Sequence, residues 1–351
     1  MIYPVNEKNL ELAAAAIRRG DLAAFPTETV YGLGGDAFNP SALAKIFEAK
    51  QRPRFDPLII HIADIAALEN IADLSLLEKP LREKVGRLTA LWPGPLTLIL
   101  PKKPAVPDLA TSGLATVAVR FPSHPAAQAL IRLSTGAVAA PSANRFGCLS
   151  PTQAEHVAEQ LGDRVDIILD GGRTSVGVES TVLDMSFGAQ GLPRVPRILR
   201  PGGVSREQIE TLIGPVEAGG NSNTVTGDPA SAGRPLSPGQ LKSHYAPGVP
   251  LTVHSREEMI ALKLDGSEGC LFFDGPSRDA WLAHQDAAGG NSPEHIRVLS
   301  EKGDAVEGAA NLFAVLHQLD RMGLSGIRAE LAPAGGLGDA INDRLSRAAA
   351  K

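Results

Sequence analysis

Cysteine is scarce in this chain: Cys148 and Cys270 are the only two thiols in 351 residues, and they lie far apart. No CxxC pair or Cys/His cluster accompanies them, which excludes a disulfide scaffold and a zinc-finger type of site. Reduced thiols and a cytoplasmic location are the expectation. Aromatic residues are few as well, at 4%. The core must therefore be mostly aliphatic, and the stacking platforms of single-stranded RNA binders are missing. No apolar run is long enough to span a bilayer, and the N-terminal stretch carries no signal-peptide apolar segment. Positive charge is not in excess either. The net charge of −5 argues against a protein that coats nucleic acid or an anionic membrane with its whole surface.

What is present is ordinary globular composition, 43% hydrophobic and 21% charged. The length exceeds what one hydrophobic core usually spans, so two domains are expected. Helices are read at 7–20, 40–49, 77–91, 125–133 and 152–161, the last with Thr152 or Ser150 near its cap. Strands are read at 22–26, 57–62, 96–100, 116–121, 137–140, 167–169, 180–185 and 197–199. This rhythm indicates an α/β fold around a twisted, mixed sheet. At Gly214 the composition turns rich in Gly, Pro, Ser and Asn, which reads as a linker. Order resumes at 250, with strands at "LTVH" and "GCLFF", a helix between them and a helical stripe of Ala309, Leu312, Phe313, Leu316 and Leu319. The expected division is 1–213, a linker over 214–249 that carries "SPGQLKSHYAP", and a C-terminal domain over 250–351.

Several strand-end loops carry polar groups. "PTETVYGLGGDA" (26–37) offers Thr27, Glu28, Thr29 and Tyr31 before a glycine run, and reads as a loop. In "KQRPRFDPLIIHI" (50–62), Lys50, Arg52 and Arg54 alternate before a strand. If extended, that segment would aim all three cations to one side. Guanidinium forks suit phosphate oxygens, while a solvated loop is the commoner fate of such a cluster. Arg120 ends an apolar strand and must meet an anion, either a structural carboxylate or a ligand. Ser142, Asn144 and Ser150 follow another strand, Ser180 opens one and Arg200 closes one. No P-loop, nucleophile elbow or HExxH motif occurs. Cations interleaved with hydroxyls suit phosphate binding and electrostatic stabilisation rather than covalent catalysis.

Taken in order, "PTETVYGLG", "KxRP…PLxIHI", "LWPGPLTLIL", "VAVRFP", "PSAN", "STVLD" and "ILRPG" resemble the YrdC-like domain of threonylcarbamoyl-AMP synthases. "SPGQLKSHYAP" resembles the linker of their long, two-domain form, called Sua5. The resemblance implies an open, twisted mixed sheet around a concave basic cavity, followed by a small Rossmann-like α/β domain. It implies a nucleotidyltransferase that makes L-threonylcarbamoyl-AMP from L-threonine, bicarbonate and ATP with Mg²⁺, for the t6A modification of tRNA. The product would pass to a threonylcarbamoyl-transferase machinery. By the same resemblance Thr29, His61, Arg120, Ala140 and Ser180 would surround threonine. Lys50, Arg52, Asp56, Thr116, Ser142, Asn144, Ser150, Arg200, His244 and Tyr245 would face ATP, with Lys50 and Arg52 as the catalytic pair. The family usually has Asn at position 56, and a cation where this chain has Ser243. A non-catalytic RNA-binding module is the competing expectation for the same basic surface, and a linker that closes as a lid is a further one.

Overall fold

The computed structural model describes residues 1–186, 195–218, 235–264, 266–285 and 293–350. They form two compact units. The first comprises Met1–Phe146, Pro151–Thr174 and Glu179–Gln240, and the second Gly147–Ser150, Ser175–Val178 and Leu241–Lys351. The division thus falls inside "SPGQLKSHYAP", between Gln240 and Leu241. Part of the expected linker, 219–234, lies outside the described residues.

The strands of the first unit are β1 (Ile2–Pro4), β2 (Ala23–Phe25), β3 (Gly32–Asp36), β4 (Ile59–Ile62), β5 (Leu96–Pro101), β6 (Thr116–Arg120), β7 (Ala137–Ala139), β8 (Ile167–Asp170), β9 (Thr181–Asp184), β10 (Arg197–Arg200) and β11 (Glu217–Ala218). Its helices are α1 (Glu7–Arg18), α2 (Pro40–Lys50), α3 (Leu68–Ile71), α4 (Lys79–Leu88), α5 (Asp108–Thr111), α6 (Pro125–Leu133), α7 (Ala154–Leu161) and α8 (Arg206–Ile213). The strands make one mixed sheet in the order β1-β8-β2-β3-β7-β4-β6-β5-β9-β10-β11. Helix starts follow local chemistry. Asn39 caps α2 ahead of Pro40, and Ser205 with Gln208 closes a capping box on α8.

Strand alternation gives the sheet two unlike faces. Ile60 and Ile62, Leu96, Leu98 and Leu100, Val117 and Val119, and Leu183 enter the large core. The other face carries a patch of five buried residues, Ile59, Ile99, Ala118, Val182 and Leu199, with Leu236 packed against it. Polar side chains share that second face, and they build the site described below.

Two local expectations need correction. The 26–37 loop contains β3, whose glycines disguise a strand. A Cβ at Gly34 would come within 2.7 Å of Phe25 Cε1 and 2.9 Å of Val138 Cγ1, so side chains are excluded by close packing rather than by a turn. Lys50, Arg52 and Arg54 do not lie along one extended segment, because Lys50 ends α2 and Gln51 is left-handed at φ +53°. Thr152 lies next to the cap of α7 as read, while Gln153 holds the cap position itself and makes no side-chain bond there. At the start of the stretch read as a linker, β11 pairs parallel with β10.

The second unit is a four-stranded sheet of β12 (Leu251–His254), β13 (Gly269–Asp274), β14 (Ile296–Ser300) and β15 (Ile327–Glu330), in the order β12-β15-β13-β14. All its strand pairs are parallel, and α9 (Arg256–Ala261), α10 (Gly275–His284), α11 (Ala305–Asp320) and α12 (Gly338–Ala349) accompany them. This is the Rossmann-like arrangement expected. β14 and β15 escape the sequence reading because Arg297 and Arg328 interrupt their apolar pattern. Arg328 leaves the strand to bond Glu268 and the Thr252 hydroxyl. The α11 stripe is buried as read. No helix among the described residues is long and apolar enough to cross a membrane.

Candidate active site

Four neighbouring strands place polar groups on the second face. In register, His61 of β4 lies opposite Arg120 of β6, and Arg120 lies opposite Thr97 of β5. Leu96 pairs with Thr181 on β9, so Ser180 enters beside this row. His61 is buried, with Nδ1 3.2 Å from the Ile59 carbonyl. A carbonyl only accepts, so Nδ1 carries the proton and Nε2 is left as an acceptor. Burial, with Arg120 adding to it, pushes the His61 pKa down to about 3, so the ring is neutral at physiological pH. Ala140 adjoins this ring through the same carbonyl, which also accepts its N–H.

Arg120 is buried and already has a carboxylate: Glu28 Oε1 lies 2.7 Å from its Nη2. Its Nη1 donates to Thr29 Oγ1 at 2.9 Å, and its Nε reaches the Gly94 carbonyl at 3.4 Å. The hydroxyl polarity follows from this. Thr29 accepts from Arg120 and donates to Thr27 Oγ1 at 2.8 Å, which donates in turn to the Val30 carbonyl. The Ser180 hydroxyl lies 2.8 Å from Thr97 Oγ1 and accepts from Arg200 Nη2 at 3.2 Å. Arg200 also donates to the carbonyls of Ser180 and Pro238. A register shift between Ile198 and Arg200 re-aims that side chain.

A second group adjoins the first. Lys50 is buried, and its Nζ donates to the carbonyls of Ser142 and Asn144 at 2.6 Å each. The cation therefore shapes the "PSAN" loop as well as charging it. Arg52 is buried too, with Nη2 2.9 Å from Asp56 Oδ2 and 2.8 Å from the Pro57 carbonyl. Its guanidinium stands 5.9 Å from the Phe146 ring. Burial pushes the Asp56 carboxyl upward, against the pull of Arg52, Lys50 and Arg200. That Asp56 feels all three cations links this group to Arg200. Thr116 closes the same face of β6, two positions before Ala118. Arg54 is exposed and peripheral.

The structure thus brings together Thr29, His61, Arg120, Ala140 and Ser180, and beside them Lys50, Arg52, Asp56, Ser142, Asn144 and Arg200. Ser150, His244 and Tyr245 belong to the second unit. There the Ser150 carbonyl lies 3.1 Å from His317 Nε2. Tyr245, at φ +63°, is buried with its ring 5.0 Å from the Arg344 guanidinium and 5.7 Å from the Phe313 ring. Their assignment to ATP rests on the motif. Sequence reasoning left out Thr97 and gave Glu28 no role. The polar interruption of "LTLIL" is the available signal for Thr97. For Glu28 the only hint is a carboxylate one residue before Thr29.

Comparison with known proteins gives the family. Residues 15–202 match the Sua5/YciO/YrdC family, described as telomere recombination. Residues 204–350 match the threonylcarbamoyl-AMP synthase C-terminal domain. The chain is 42% identical to the threonylcarbamoyl-AMP synthase of Bacillus subtilis strain 168, over 98% of this chain and 94% of the relative. It is 41% identical to that of Pyrococcus abyssi, over 98% and 95%. The solved structure of P. abyssi Sua5 complexed with L-threonine is similar with a TM-score of 0.81, at 39% identity, covering 99% of this chain and 97% of that one.

Proposed function

This chain belongs to the Sua5-type threonylcarbamoyl-AMP synthase family, and we propose that the polar face of its first unit carries the synthase chemistry. L-threonine, bicarbonate and ATP become L-threonylcarbamoyl-AMP and pyrophosphate. The observation that carries this reading is the buried row of His61, Arg120, Thr29 and Ser180, an amino-acid-sized set of charge and hydroxyls beside three buried cations. Arg120 receives the threonine carboxylate, with Thr29 and Ser180 alongside. The neutral Nε2 of His61 accepts from the threonine hydroxyl, and Ala140 closes the wall.

The ATP phosphates lie toward Lys50, Arg52 and Arg200, with Thr116, Ser142 and Asn144 flanking the nucleotide. The carboxylate of N-carboxy-threonine attacks the α-phosphorus as the bond to the β-phosphate oxygen breaks. Negative charge accumulates on phosphate oxygens, and fixed cations lower that barrier without reorganising. Lys50 acts through its charge and by holding the Ser142–Asn144 carbonyls. Among the described residues no group of three or more His, Cys, Asp or Glu side chains is placed to hold a metal ion. Mg²⁺ is taken as part of the substrate, carried on the ATP phosphates. The product suits delivery to the machinery that transfers the threonylcarbamoyl group to tRNA adenosine.

Pyrophosphate release measured with each substrate omitted in turn tests the reading. The expected result is release that needs both L-threonine and bicarbonate. Release independent of threonine, or tRNA binding with no release, would overturn it in favour of another nucleotide enzyme or a binding module.

A further inference from the structure

Arg120 and Glu28 meet as opposite charges 2.7 Å apart, and both are buried. Yet Arg120 Nη2 and both Glu28 carboxylate oxygens make no well-aligned hydrogen bond. A buried carboxylate normally fills its acceptor sites. Here two acceptor oxygens and one donor nitrogen stand side by side with bonding capacity to spare. An α-amino acid carries the complementary pair, a carboxylate and an ammonium on one carbon atom.

We propose that Glu28 receives the α-ammonium of the amino-acid substrate and takes its proton before the carbamate forms. This rests on the synthase reading above. The zwitterion docks with its carboxylate on Arg120 and its ammonium on Glu28, so each protein charge exchanges an imperfect partner for a well-directed one. An ammonium has no lone pair and cannot attack carbon. Proton transfer to Glu28 leaves a neutral amine and a carboxylic acid. The amine lone pair then forms the C–N bond to bicarbonate, the C–OH bond breaks, and the departing hydroxide leaves as water with the second amine proton. One proton remains on Glu28 and passes to solvent. The charged and titratable groups around Glu28 are Arg120 from β6, neutral His61 from β4 behind it, and His124 at the cap of α6. Burial pulls the His124 pKa down, while Glu28 pulls it up.

The test compares wild type, Glu28→Gln and Glu28→Asp in threonine-dependent pyrophosphate release across pH, with ATP affinity measured separately. In the wild type the proton moves from substrate to Glu28, so the rate is nearly flat around neutral pH. Glu28→Gln is expected to lose about 100-fold or more in kcat/KM for threonine at pH 7. Its rate should rise about tenfold per pH unit, because the amine must lose its proton to solvent. Glu28→Asp should keep the flat profile at a lower rate, and ATP affinity should be unchanged in both. A Glu28→Gln enzyme with a flat profile and wild-type KM for threonine would overturn the proposal. Should that variant fail to fold, the wild type decides. 2,3-Dihydroxybutanoate, with a hydroxyl in place of the ammonium, is expected to bind at least about tenfold more weakly than L-threonine. Equal binding would overturn the proposal. Absence of pyrophosphate release in the wild type would overturn the synthase reading instead.

Discussion

Replacing Asp56 by Asn removes a negative charge from among the cations assigned to ATP. In the free protein the charge–charge attraction between Arg52 and Asp56, at 2.9 Å, is about 6 kcal/mol at an effective dielectric near 20. Much of that attraction only offsets desolvation of the pair. Asn keeps one carbonyl acceptor, and Arg52 keeps the Asp56 and Pro57 main-chain carbonyls, so the loss of stability should be about 1–3 kcal/mol. Nucleotide binding should move the other way. A phosphate charge held roughly 6 Å from Asp56 is repelled by about 3 kcal/mol at the same dielectric, and Mg²⁺ screens part of this. The expected result is ATP binding at least about tenfold tighter in Asp56→Asn, with a lower melting temperature for the ligand-free protein. Calorimetric titration at fixed Mg²⁺ together with thermal unfolding measures both. A folded variant that binds ATP no more tightly would refute the electrostatic argument and make Asp56 the residue that aims Arg52.

Three further outcomes follow from the geometry. His61 stays neutral in the fold down to about pH 3, but its unfolded form takes a proton near 6.5. Stability should therefore fall as pH drops below about 6.5, by up to about 1.4 kcal/mol per unit; denaturant titrations of wild type and His61→Gln should diverge there, and parallel curves would contradict the assignment. A Cβ at Gly202 would collide with the main chain of Glu179, Ser180 and Thr181. Gly202→Ala should cost about 1–3 kcal/mol or more and raise KM for threonine more than KM for ATP, whereas an equal rise in both would show that Ser180 had not moved. Tyr245→Ala should cost the second unit about 3–5 kcal/mol, seen as faster hydrogen exchange in α11 and α12; unchanged exchange would show that Tyr245 does not brace those helices.

The fold class was legible because it rests on alternation and apolar runs, which the strands from β4 to β10 display openly. What stayed hidden depends on tertiary neighbours. Glycine in β3 reads as a loop until Phe25 and Val138 are seen to press on it. Arg297 and Arg328 read as breaks until one of them is seen to leave the sheet for Glu268. Within the candidate site, the motifs point to the cations and most of the hydroxyls, but not to Thr97 or to the partner each group meets. Arg120 was known to need an anion, yet sequence alone left a structural carboxylate and a ligand open, and the structure supplies Glu28. In "KQRPR" the shared direction of Lys50 and Arg52 toward Asp56 comes from a helix end and the left-handed Gln51 rather than from an extended segment, and Arg54 stays outside.

The second unit draws on three separate stretches of the chain, and this bears on how it is synthesised. The Gly147 carbonyl accepts from Ala246, and the Ser150 carbonyl meets His317 across 167 positions. Gly177 fits against Ala309 and Ala310 so tightly that any side chain there would strike their backbone. The first two stretches leave the ribosome long before α11 and α12 exist to receive them. Translation therefore exposes them without their partners, and this unit closes only near the end of synthesis. A fragment cut at the start of the matched C-terminal domain would begin with two of its three pieces missing, so excision of that domain should yield a less stable body than its length suggests.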